Sequence, residues 1–155
     1  MKHFRCDSYP GANATIADVI ALADEYRGAA SMLLANCQRQ NALSRAPSVL
    51  CSIHAIELYL NAFLRHRGEP PEKIRGYLHD LAIRSNLVAK LNLRKRTVVH
   101  LIRMTEKREY LIARYGPEAI GDFSEITRLQ ASLNEIAAKV TLQVLGIAPN
   151  RPFQL

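Results

Sequence analysis

The sequence predicts an all-α fold of about five helices packed as an antiparallel, bundle-like domain. Apolar residues recur at three- and four-residue steps over long stretches. Proline-glycine and proline-proline pairs punctuate those stretches at Pro10-Gly11, Pro70-Pro71 and Gly116-Pro117, and no strand-like alternation stands out. Hydrophobic residues make up 48% of the chain but aromatic ones only 6%, with no Trp, which suits Leu/Ile/Ala-rich helix packing. At 155 residues the chain fits one domain, residues 13–146, between an irregular arm at 1–12 and a loose tail at 147–155.

Asn13 is the expected cap of a first helix reaching Gln38, with Ile16, Val19, Ile20, Ala23, Ala30, Leu33 and Leu34 as its core stripe. A second helix opens at Pro47 and stops before Gly68. Pro70-Pro71 forces a turn, and a third helix is expected from Glu72 or Tyr77 to Lys90. A fourth runs from Arg96 to Arg114, ended by Tyr115-Gly116-Pro117. Asp122 and Glu125 read as a D-x-x-E capping box for a fifth helix, whose stripe is Ile126, Leu129, Leu133, Ile136 and Val140 and whose stop is Gly146.

The second helix organises the rest. Val49, Leu50, Ile53, Ile56, Leu60, Phe63 and Leu64 define its apolar arc, and Glu57 falls inside that arc with His54 and Asn61 at its edge. A carboxylate there requires a partner, because an unpaired buried charge is costly. His79-Asp80, just past the proline turn, is the nearest polar pair in sequence. His54, Glu57, His79 and Asp80 are therefore expected to form a polar network, with Asp80 or His79 also capping the third helix.

HAIELYLNAFL, then a Gly-Pro turn, then IRGYLHDL, resembles the HEPN superfamily of small all-helical domains, from about Tyr26 to Val140. Asn61 stands where that superfamily often has Lys, and Leu78 where it often has Gly. The resemblance implies a homodimer that binds RNA or nucleotides, in some members a metal-independent endoribonuclease of toxin or defence type. It also implies a cognate antitoxin or nucleotidyltransferase as partner. The Arg and His of such ribonucleases match Arg94 and His100, separated here by five residues in RKRTVVH. Arginine can stabilise charge on phosphoryl oxygens and histidine can move a ribose proton, so no metal or cofactor is needed. Lys95 follows the Arg where active relatives often have a small polar residue, and Arg96 shares a helix face with His100. Tyr110, Arg114 and Tyr115 match a pattern late in some relatives, the two tyrosines being expected as packing residues.

The charge distribution fits a phosphate-bearing ligand. The net charge is +7, and residues 90–114 hold eight basic side chains against Glu106 and Glu109 alone. Lys95, Arg96, Arg103, Lys107 and Arg114 are the expected phosphate-positioning residues, or else a solvated face. Two other readings stand beside this one. A domain of the same fold without cleavage would serve as a dimerisation or binding module for another protein. His54, His79-Asp80 and Asp122 also occur in the order used by HD-type metal-dependent phosphohydrolases. Cys6, Cys37 and Cys51 lack metal-ligand spacing and read as reduced thiols. No apolar run approaching a membrane span and no secretion signal are read, so the expected location is cytoplasmic.

Overall fold

In the computed structural model, which describes residues 8–147, the first helix begins at a reciprocal cap. Thr15 Oγ1 accepts from the Asp18 amide at 3.1 Å, and Asp18 accepts from the Thr15 amide at 2.9 Å. This box starts α1, Ile16–Ala35, and displaces the expected Asn13 cap. Asn13 instead donates to Ser8 Oγ at 2.9 Å. Two orphan donors are satisfied at Thr15, which a lone Asn13 cap would not achieve. Residues 1–7 and 148–155, and with them Cys6 and most of the expected arm and tail, lie outside the described residues. Cys37 and Cys51 are free.

A 3-10 turn, Ala42–Arg45, leads into α2, Ala46–His66, with Pro47 in the first turn and Gly68 beyond the end at φ 93°. That left-handed angle is the conformation a glycine adopts without steric cost. Ile53, Ile56, Tyr59, Leu60, Phe63 and Leu64 are almost fully buried, so α2 is the axis of the core. Within Ala42–His66 an 18-residue window has a mean hydropathy of 1.3 and the stretch has the length to cross a membrane, contrary to the expectation that no run comes near it; 67% of that window is buried inside the protein. Its apolar character belongs to a core helix.

The remaining chain is helical, with no strand among the described residues: α3, Pro71–Gly76; α4, Leu81–Leu87; α5, Lys95–Glu106; α6, Glu109–Tyr115; and α7, Ile126–Leu145. Short 3-10 segments follow α4 and α6. The all-helical class is as expected, but the described residues form seven α-helices where about five are expected. The expected third helix is broken by Leu78 at φ 48°, after which Asp80 caps α4 through a 2.8 Å bond from the Ile83 amide. The expected fourth is broken by Arg108 at φ 54°. Neither residue announces a left-handed turn, since both carry a Cβ that disfavours it.

Asp122 does not cap the last helix. It ends the 3-10 segment Pro117–Asp122, and Glu125, at the N-cap of α7, makes no side-chain capping bond. Glu109 holds the chain entering α7 instead, accepting from the Ser124 amide at 3.0 Å and its hydroxyl at 2.5 Å. Beyond that entry Leu129, Leu133, Ile136 and Val140 are buried as the stripe predicts. α1 and α7 both pack along α2, α6 leans on α2, and α4 packs on α5.

Candidate functional site

Glu57 is carried into the interior by the apolar arc around it and is 8% exposed. Its Oε2 lies 3.0 Å from His79 Nδ1 and its Oε1 3.5 Å from an Arg84 guanidinium nitrogen. Arg84, on α4, is itself 1% exposed. It donates to Asn61 Oδ1 at 2.8 Å and to the Asp80 carbonyl at 3.0 Å. Burial pushes the Arg84 pKa down, and Glu57 and Asp80 oppose that fall. Asn61 is thus matched to its neighbour, because a lysine there would place a second cation against Arg84.

The turn after α3 folds His79 back over α2. Its ring stacks on Tyr110, with centroids 3.8 Å apart and planes 24° from parallel. The Tyr110 hydroxyl accepts from Arg114, whose guanidinium also lies 5.5 Å from the Tyr115 ring. Tyr110 packs against the core as expected, whereas Tyr115 is 72% exposed and is not a packing residue. His54, one turn before Glu57, meets Tyr26 edge to face at 4.4 Å. Burial lowers its pKa; Glu57 works against the shift, while His79 and Arg114 add to it.

His54, Glu57, Asn61, His79 and Arg84 border a cleft of about 380 Å³ whose charged lining is completed by Arg65 and Arg75, so that Glu57 is its single carboxylate. A second pocket of about 340 Å³, lined largely by Ile53, Leu81, Met104 and Leu111, shares Leu78 and His79 with it. Both volumes fall in the range of small-molecule sites. Leu78, 71% exposed, stands at the divide between them.

The expected catalytic pair lies elsewhere and apart. Arg94 is exposed at the start of α5, where its backbone amide donates to Glu135 Oε1 at 2.7 Å. His100 is 4% exposed, with Nδ1 2.8 Å from Ser132 Oγ and Nε2 buried without a partner. Burial, with Arg128 and Arg103 nearby, pushes its pKa down to about 4. Among the described residues no hydrogen bond or ion pair joins Arg94 to His100. Lys95, Arg96 and Arg103 are exposed, Lys107 donates to the Asp122 carbonyl at 3.3 Å, and Arg114 alone of the expected phosphate ligands reaches the cleft's ring pair.

Of the four residues of the expected polar network, Glu57 and His79 form a direct pair, His54 packs edge to face on Tyr26 with no hydrogen bond to either among the described residues, and Asp80 caps α4. The structure adds Arg84, which the sequence reading missed; the only signal for it was that Glu57 needed a cation. Asp122 lies on a separate segment, and no three His, Cys, Asp or Glu side chains among the described residues form a metal-holding group. The geometry thus gives the HD-type reading no support. Comparisons with protein-family models, with curated proteins and with solved structures return no match.

Proposed function

We propose that the protein binds a phosphate-bearing ligand, RNA or a nucleotide, in the cleft over Glu57. One observation carries this reading: three arginines and two histidines line the cleft against the single carboxylate Glu57, and one of those histidines, His79, is stacked on Tyr110. Guanidinium groups suit phosphate oxygens, and aromatic faces suit bases. The basic surface of α5 would draw such a ligand in from a distance. Cleavage through Arg94 and His100 has less support, because His100 is enclosed and its pKa is depressed to about 4. A cytoplasmic homodimer, with a cognate antitoxin or nucleotidyltransferase partner, belongs to the proposal through resemblance only.

The test is a titration of a labelled short RNA, with ATP and AMP as competitors. Arg75→Glu reverses a charge in the cleft at an exposed position and is expected to weaken binding by roughly tenfold or more, with a shallower salt dependence. Equal affinity in the variant and the wild type would remove the cleft from the reading.

A further inference from the structure

The geometry points to a second binding site beside the cleft, for a free medium-chain fatty acid. Its chain lies in the apolar pocket of about 340 Å³ and its carboxylate meets Arg108, which lines that pocket. The inference goes beyond the proposed function, since it needs neither RNA nor a nucleotide in the cleft over Glu57.

Ile53 of α2, Leu81 of α4 and Met104 of α5 line the pocket and are almost fully buried, so they form its floor. The rim is different. Leu78 and Leu111 line the same pocket, yet they are 71% and 44% exposed. Exposed leucines above a buried apolar floor leave hydrocarbon surface in water that a bound chain would cover. Leu78 and Arg108 both stand on this pocket, and both are held in left-handed conformation. Strain of that kind in non-glycine residues collects at ligand clamps.

The polar atoms of the lining are mostly committed to the protein itself. Thr105 Oγ1 accepts from the Leu81 and Ala82 amides, both at 3.1 Å, and donates to the Leu101 carbonyl at 3.2 Å. That uses its proton and both lone pairs. Asp80 accepts from the Ile83 amide at 2.8 Å, and its charge acts on Arg84. The Tyr110 hydroxyl accepts from Arg114, and His79 Nδ1 is held by Glu57. A base or a sugar, which needs several such partners, would go unsatisfied there, whereas an alkyl chain asks for none. Arg108 is the exception. It is exposed, and its guanidinium enters no hydrogen bond or ion pair among the described residues. A guanidinium beside a hydrocarbon pocket matches a carboxylate on an apolar chain. The volume lies at the small end of the range for ligand sites, which favours one medium chain over a two-chain lipid.

Calorimetric titration of the whole chain with decanoate, hexanoate and decylamine tests this, with wild type beside Leu111→Glu, Arg108→Glu and Arg75→Glu. All of these substitutions fall at exposed positions, and thermal unfolding checks that each variant is folded. Expected is saturable binding of decanoate, roughly tenfold or more tighter than hexanoate because more methylenes are buried. Decylamine, of opposite charge, should bind roughly tenfold or more weakly than decanoate. Leu111→Glu and Arg108→Glu should each weaken decanoate binding by roughly tenfold or more. No saturable binding, equal affinity for decylamine, or wild-type affinity in both pocket variants overturns the site. Arg75→Glu, in the neighbouring cleft, should weaken RNA and leave decanoate unchanged. A loss of decanoate there as large as in Arg108→Glu would move the carboxylate into the cleft and overturn its assignment to Arg108.

Discussion

Two histidines, His79 and His100, sit in opposite environments, and only one of them was singled out by spacing. His100 lies in the motif-like RKRTVVH but points into the α5–α7 interface, with a serine hydroxyl as its partner and nothing on Nε2. His79 lies in a broken turn, half in water, with a carboxylate, a tyrosine ring and a cleft around it. The difference teaches that residue spacing alone cannot tell an imidazole at an open cleft from one enclosed in packing. Its surroundings can, because of the two only His79 has both a carboxylate partner and access to solvent.

The comparison can be broken first at Arg84. Arg84→Ala leaves Glu57 with His79 alone and should cost about 3–5 kcal/mol, the usual loss when one member of a buried pair is removed. Chemical denaturation at neutral pH measures it, and a loss below about 1 kcal/mol would mean that His79 suffices for the carboxylate. The next effect belongs to His100. Its folded pKa of about 4 lies below its unfolded value, so the unfolded chain binds the extra proton. The His100 contribution is therefore complete above about pH 6.5 and lost as pH falls toward 4, about 3 kcal/mol in all. His100→Leu should flatten that part of the stability–pH curve; an unchanged curve would place the acid sensitivity in other groups. The smallest effect is a gain. Leu78→Gly relieves a left-handed leucine that is mostly exposed and should stabilise by about 1 kcal/mol. Destabilisation instead would show that the Leu78 side chain makes contacts worth more than the strain.

Much of the fold was legible because it is written in period and punctuation. The stripes of α2 and α7, the Pro47 start and the Gly68 and Gly146 stops all reflect local rules, while the α1 stripe holds at Ile20, Ala23 and Ala30 but fails at Leu33, which is exposed. The breaks at Leu78 and Arg108 were not, because the left-handed backbone there falls on residues whose own preferences disfavour it, and neither a glycine nor an asparagine marks the place. Thr15-Ile16-Ala17-Asp18 was a readable capping box that Asn13 obscured, and Asp122-x-x-Glu125 was a false one. In the site, Glu57 could be read from its misplaced charge and His79 from the returning turn. Arg84 could not, because an arginine amid a short helix looks like a surface residue until its neighbours are known.

The start of α5 has no side-chain cap of its own, and Glu135 on α7 supplies one. Its carboxylate accepts from the Arg94 amide and the Thr97 hydroxyl, the place that a glutamate three residues into a helix fills in a local box. The bond spans 41 residues of chain. During synthesis, therefore, α5 leaves the ribosome with its first turn unfinished and completes it only once the last helix is made and docked. Protection of the Arg94 amide against solvent exchange would thus report the docking of α7 on α5.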